Sequence, residues 1–214
     1  SFSGQFKGNG HTISDLTITG QYSPAGLFGI VEEQGSIESL SVRGIVSVSD
    51  SADTTTGGIV GINHGTLINC QFTGVVTGDS EVGGIVGRNE SEGTIDHSTA
   101  RAIVTGKSST GGIAGYNLGA ITGCTNVGSI NTEYQEASLD TDGFTAKMVD
   151  QINNKMAAAD DDATNSVTNV ATDTGGIAGR SSGMILTSVN TGAVGYEHVG
   201  YNVGGIVGRT DGLV

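Results

Sequence analysis

Four histidines and two cysteines are the residues of this chain best suited to hold a metal or act as nucleophiles, and their spacing suits neither task. Zinc peptidase chemistry needs His-Glu-x-x-His, which sets two imidazoles on one helical face with the glutamate as base. Here His11, His64, His97 and His198 are followed by Thr12, Gly65, Ser98 and Val199. Calcium-binding repeats use Gly-Gly-x-Gly-x-Asp, whereas this chain has Gly57-Gly58-Ile59-Val60-Gly61 followed by Asn63. Asp140-Thr141-Asp142-Gly143 offers two carboxylates but lacks the third oxygen ligand that an EF-hand loop places before its glycine. Glycan cleavage requires two carboxylates on one exposed surface. Asp96 stands alone, its counterparts in neighbouring repeats being Ile68 and Thr122, and Asp50, Asp53, Asp79 and Glu81 fall in turns. Neither a phosphate-cradling Gly-Lys-Ser/Thr loop nor a Gly-x-Ser-x-Gly nucleophile elbow is expected. The expectation is a chain without catalytic residues, metal or cofactor.

The positions of these residues are set by a repeat. Gly57-Gly58-Ile59-Val60-Gly61 returns at 83–87, 111–115, 175–179 and 204–208, after a looser copy, Ala25-Gly26-Leu27-Phe28-Gly29. Anchored on the second glycine, the steps are 32, 26, 28, 64 and 29 residues. A recurring step of roughly 20–50 residues marks a solenoid or array. Each copy is followed by a phrase such as Gly93-Thr94-Ile95-Asp96, and most by a third such as Phe72-Thr73-Gly74-Val75-Val76. Three short β-branched runs per repeat, separated by Gly, Asn and Ser turns, read as three strands per coil of a parallel β-helix. Like residues then stack in columns. The expected columns are Leu27, Ile59, Ile85, Ile113, Ile177 and Ile206; Phe28, Val60, Val86, Ala114, Ala178 and Val207; Ile13, Ile37, Leu67, Ile95, Ile121 and Ile185; and a polar one of Asn63, Asn89, Asn117, Ser181 and Thr210. Cys70 and Cys124 share a slot, with Ser98 on the coil between. Two coils set them ~10 Å apart, beyond the ~7 Å limit for a disulfide, so they read as buried free thiols.

Composition agrees with a narrow aliphatic core. Glycine is 37 of 214 residues, tryptophan is absent and aromatics are 5%. The net charge of -13 argues against phosphate-backbone binding, so no nucleic-acid partner is expected. No apolar run approaches the ~18 residues of a membrane helix, so no membrane insertion is expected of this segment. The chain opens and closes mid-pattern, as a single β-helix domain cut from a longer protein does. The 64-residue step holds an insertion at 131–174, where Phe144, Met148, Ile152 and Met156 fall four apart with Val149 beside them. That spacing predicts one α-helix near 143–159, packed on the solenoid's flank.

The opening Phe6-Lys7-Gly8-Asn9-Gly10-His11-Thr12-Ile13, Gly26-Leu27-Phe28-Gly29, the repeated Gly-Gly-Ile-Val-Gly and Leu67-Ile68-Asn69-Cys70 resemble the GLUG repeats of large bacterial surface proteins. These include the non-catalytic region of immunoglobulin-A-cleaving metallopeptidases. The resemblance covers about residues 1–130 and 175–214. It implies an all-β, right-handed parallel β-helix with coils of about 26–32 residues, exposed extracellularly or on the cell surface of a bacterium. The expected function is a non-enzymatic spacer or adhesin, with glycan or host extracellular protein as partner. The alternative is a carbohydrate-active β-helix enzyme, a lyase or hydrolase. The turn before the Gly-Gly phrase varies from six, six, nine and ten to 44 residues, so it marks one edge where insertions collect. Loops on a rigid scaffold carry recognition residues, and the candidate contacts there are Tyr134, Glu136, Tyr196, His198 and Tyr201.

Overall fold

The structure, a computed structural model, describes residues 1–48, 54–132, 172–195 and 201–211. The chain divides into two units, Ser1–Thr132 with Ala171–Val214, and Glu133–Val170. The second unit, with the helix expected near 143–159, lies outside the described residues. No helix occurs among the described residues. The first unit is a parallel β-solenoid in which each coil lies on its predecessor.

The coil has four faces, not the expected three. Sheet 1 is built from Thr55–Gly57, Glu81–Gly83, Ser108–Gly111, Thr172–Gly175 and Tyr201–Gly204. Sheet 2 holds Phe28–Val31, Val60–Asn63, Val86–Asn89, Ala114–Asn117, Ala178–Ser181 and Val207–Thr210. Sheet 3 holds Gln5–Lys7, Ser36–Glu38, Thr66–Ile68, Thr94–Asp96, Ala120–Thr122 and Met184–Leu186. Sheet 4 holds Thr12–Gly20, Ser41–Val48, Gln71–Thr77, Thr99–Thr105, Thr125–Asn126, Val189–Asn190 and, beside Thr99–Thr105, Ser129–Ile130. The strands of sheet 1 escape pattern reading because they are short, rich in Thr, Ser and Glu, and end in glycine. Glu81 therefore opens a strand and does not sit in a turn.

Sterics fix the corner between sheets 1 and 2. A Cβ on Gly83 would collide with the Val86 carbonyl oxygen, and one on Gly84 with the carbonyl oxygen of Gly112 on the next coil. Neither glycine has a positive φ. The requirement here is close approach of backbones, not left-handed conformation. Between sheets 3 and 4 the corner works differently. Ser39, Asn69, His97, Gly123 and Thr187 all stand at φ between 45° and 60°, a left-handed turn that reverses the strand in a single residue.

The register confirms most columns. Val60 pairs with Phe28 and Val86, Ala114 with Val86 and Ala178, and Ala178 with Val207. Ile59, Ile85, Ile113 and Ile177 are linked by backbone hydrogen bonds and are fully buried. The third column holds from Ile37 through Leu67, Ile95 and Ile121 to Ile185. Its first member is Phe6 and not Ile13. Ile13 lies one face further on, paired with Val42 in sheet 4. The reason is the three-residue strand before the Asn9-Gly10 turn. Phe6 already fills the slot, and the turn at φ 50° and 77° carries the chain past the corner. Phe2 and Phe6 then pack on Phe28, with ring centroids 5.1 and 5.4 Å away, at the first coils.

Buried polar columns accompany the aliphatic ones. Asn63 Nδ2 donates to Asn89 Oδ1 at 2.8 Å, Asn89 Nδ2 to Asn117 Oδ1 at 2.9 Å, and Asn117 Nδ2 to Ser181 Oγ at 3.2 Å. Asn63 also accepts from the Gly65 amide at 3.2 Å, so each amide holds its own turn and its neighbour's. A second pair, Asn126 to Asn190 at 2.8 Å, occupies a sheet 4 column that Val42, Phe72 and Ala100 fill on earlier coils.

Two stability outcomes follow from this register. Ile85→Ala and Ile113→Ala should each cost about 2–5 kcal/mol in denaturant unfolding, because close neighbours on both coils prevent collapse of the cavity. Asn89→Ala orphans the Asn63 donor and the Asn117 acceptor, and should cost on the order of 1–3 kcal/mol for each. A loss below 1 kcal/mol in that variant would show that the column is not continuous in solution.

Candidate functional site

Most motif-like stretches are absorbed by the scaffold. Gly106-Lys107-Ser108 carries the end of a phosphate-loop pattern, but Arg101 stands where the first glycine belongs. Its donors are engaged: the Gly106 amide binds Asn131 Oδ1 at 2.9 Å, the Lys107 amide binds the Asp79 carbonyl, and Lys107 Nζ lies 2.6 Å from Asp79 Oδ1. A strand follows rather than a helix N-terminus. Gly179-Arg180-Ser181-Ser182-Gly183 does spell Gly-x-Ser-x-Gly, contrary to the expectation of no such phrase. Its Ser181 is fully buried as the next member of the asparagine column, so it is not the exposed hydroxyl of a nucleophile elbow.

Asp96 is as isolated as its repeat position implies, between Ile68 and Thr122, with His97 Nδ1 at 2.8 Å from its carboxylate. No group of three metal-ligating side chains occurs among the described residues. Cys70 and Cys124 are free and buried. Cys70 Sγ lies 3.4 Å from the Ile37 and Ile68 carbonyl oxygens, and the Ser98 hydroxyl accepts from the Cys70 amide at 3.1 Å. Burial, only partly countered by backbone hydrogen bonds, pushes both thiols up to about 11.

Tyr134, Glu136, Tyr196 and His198 lie outside the described residues. Tyr201 opens a sheet 1 strand, with its backbone paired to Thr172.

The groups that do converge lie on the outer face of sheet 2. In Gly87-Arg88-Asn89 the asparagine is buried, so the preceding residue points outward, as strand alternation requires. The same slot holds Ile62, Arg88, Tyr116, Arg180 and Arg209 on successive coils. Three of the five arginines of the chain thus share one column. The Arg88 and Arg180 guanidinium carbons sit 5.0 and 5.2 Å from the Tyr116 ring centroid, one from each neighbouring coil. Such contacts contribute about 0.5–1 kcal/mol at exposed sites. The Tyr116 hydroxyl lies 3.3 Å from Ser182 Oγ.

The two ends of the column differ. Arg88 binds Glu81 Oε1 at 2.7 Å and Glu90 Oε1 at 2.6 Å, while Thr55 Oγ1 donates to Glu81 Oε2 at 3.1 Å. Burial works against the Arg88 charge, but the two carboxylates more than offset it and hold its pKa above the usual value. These groups, with Ile62 and Ser80, line a recess of about 370 Å³. At the other end Arg180 has one carboxylate partner among the described residues, Asp211 at 3.3 Å, and its buried Nε has no acceptor. Arg209 is exposed and makes no ion pair among the described residues. The column was legible in principle, since its members each precede a member of the asparagine column.

The segment from Gly78 to Thr105 contains one strand of each sheet and so forms one full coil. It matches the family described as "The GLUG motif", over residues 78–105. This coil is a GLUG repeat. The GLUG coil thus contributes Arg88 and its two glutamates, Asn89 of the amide column and the isolated Asp96. Among curated proteins the chain is 37% identical over 101 residues to "Halomucin" of Haloquadratum walsbyi, covering 47% of this chain and 1% of that protein. It is 28% identical over 127 residues to a protein of Evansella cellulosilytica described as a Gly-rich membrane protein, covering 44% of this chain and 14% of that protein. The chain therefore spans only a small part of both relatives. No solved structure matches it.

The thiols give a pH-dependent outcome. A raised folded pKa means that the unfolded chain ionises first, so stability is intact below about 9 and falls as pH rises toward about 11. Unfolding free energy measured across pH 8–11 should show this decline, and Cys70→Ala with Cys124→Ala should flatten it. Native protein at pH 8 should resist alkylation until denaturant is added.

Proposed function

We propose that this chain is a non-enzymatic module of a secreted or cell-surface bacterial protein. It acts as a rigid spacer or adhesive surface whose partner is a glycan or a host extracellular protein. The observation that carries this reading is the continuous four-faced stack itself. Its conspicuous repeated polar residues, the asparagines, lie buried between coils, where they hold the scaffold and cannot meet a substrate. The GLUG match, and relatives whose names are those of a mucin and of a membrane protein, support a surface role. No helix among the described residues is long and apolar enough to cross a membrane, which says nothing of strands. The right-handed coil is retained in this reading, because strand-crossover-strand connections are right-handed in nearly all proteins.

A carbohydrate-active enzyme is the second reading, and the recess beside Arg88 is the observation that favours it. Glu81 and Glu90 are two carboxylates on one exposed surface. A glycosidase, however, needs one carboxyl free to give its proton to the leaving oxygen. Here both bind the same guanidinium.

The test is a screen of the purified chain against glycans and extracellular proteins, with reducing ends and unsaturated products assayed in parallel. The expected result is retention of a ligand without product. Product formation abolished by Glu81→Gln or Glu90→Gln would replace this reading with the enzymatic one. Deleting 132–172 tests the edge bearing Tyr134 and Glu136: loss of binding in a still-folded protein assigns recognition there, and unchanged affinity removes it.

A further inference from the structure

We propose that Arg180 and Arg209, with Tyr116 beside them, form a binding site for the carboxylates of a uronic-acid-containing glycan that lies along the solenoid axis. The inference rests on the surface-module reading and gives it a ligand class and a place.

The first argument is a local rule that the column breaks. Arg180 and Arg209 are directly paired in register on adjacent parallel strands, about 4.8 Å apart. Like charges directly opposite on one sheet face destabilise it. Departures from local consistency without a compensating contact concentrate at functional sites. Compensation here is meagre. Asp211 reaches Arg180 at 3.3 Å and its side chain is 54% exposed, while Arg209 has no ion pair among the described residues. Arg88 is the internal control. It occupies the same column and is doubly neutralised. The open cationic part is thus confined to the last coils.

The second argument is geometry. A guanidinium lying over an aromatic face keeps its in-plane N–H groups available at the edge, where a carboxylate is bound by two parallel hydrogen bonds. Tyr116 takes that face of Arg180 at 5.2 Å. The buried Nε of Arg180 has no acceptor, and unsatisfied donors of this kind call for an explanation. The hydroxyls of Tyr116 and Ser182 lie alongside, 3.3 Å apart, ready to exchange hydrogen bonds with sugar hydroxyls.

The third argument selects the ligand. Peptides join β-structures chiefly by extending a sheet edge, but this column crosses the face of sheet 2 and offers no backbone groups. A flat line of side chains, one per coil, suits an extended polymer with one functional group per unit. The net charge of -13 disfavours dense polyanions. Its field is screened beyond about 8 Å at physiological salt, so sparse carboxylates in direct contact remain bound. A glycan bearing a carboxylate on some of its sugars meets both conditions.

The test is calorimetric titration of the whole 214-residue chain with an oligosaccharide that alternates glucuronate with a neutral sugar, its carboxyl-reduced neutral counterpart and an oligoglutamate. The proposal expects binding of the first only. Arg209→Gln, an exposed position whose loss leaves folding intact, and Arg180→Gln should each weaken it by roughly tenfold or more, as loss of a charge-assisted bond does. Arg43→Gln and Arg101→Gln, on sheet 4, should leave it unchanged. Far-UV circular dichroism confirms that each variant is folded. No binding of the alternating glucuronate oligosaccharide, or equal affinity in the Arg180 and Arg209 variants, overturns the site. Preference for oligoglutamate overturns the glycan assignment. If the chain instead retains other glycans or proteins in the screen, the surface-module reading stands while this site falls.

Discussion

Backbones that touch where they turn impose the pattern of this protein. At the corner between sheets 1 and 2, successive coils approach so closely that no side chain fits on either glycine. From the second coil on, each coil therefore places Gly-Gly at the same step, where the first has Ala25-Gly26, and everything else is counted from there. Ile85 is core because it follows the corner by one residue. Asn89 is buried because it closes the next strand, and Arg88 faces outward because it precedes Asn89. The chain has few aromatics and little volume per coil, but needs little. Each aliphatic side chain of the central coils, from Ile59 to Ile177, is sealed by its own counterparts on the coils before and after it.

The same register has opposite meanings inside and outside. Stacked amides inside gain from repetition, since each donates to the next and the chain of bonds is continuous from Asn63 to Ser181. Stacked charges outside lose from it, because identical neighbours repel. The outer column handles this on the GLUG coil by flanking Arg88 with Glu81 and Glu90, and on the next by substituting Tyr116. It leaves the problem open at Arg180 and Arg209. A solenoid that resolves the conflict on one coil and not on another has a chemically graded surface on a uniform frame.

How much of this was legible follows from what repetition reveals. Columns that recur in several copies are legible, as are the Ile59–Ile177 and asparagine columns and the free thiols at Cys70 and Cys124. Features without internal copies are not. Phe6 was displaced by Ile13 because the first coil has its own turn, Asn9-Gly10. Sheet 1 was overlooked because Thr55–Gly57 and Glu81–Gly83 look polar and short, and their strand character comes from pairing with each other. The change from Phe72 to Asn126 in one core column has no local signature either. The candidate site failed for a different reason. Ile62, Arg88, Tyr116, Arg180 and Arg209 share one slot, but no single residue type fills it on successive coils until the last two. The contacts expected at the variable edge fall mostly outside the described residues, with Tyr201 placed by its backbone alone.

Four parallel sheets also determine how such a coil stack carries load. The hydrogen bonds between coils point along the solenoid axis, since they join strands that run around it. Between the central coils, such as 54–77 and 78–105, these bonds are present on all four faces, so a pull along the axis loads every face at once. The central coils are thus held to their neighbours on every face, while the coils at either end are held on fewer, so separation of the stack under load begins at its ends.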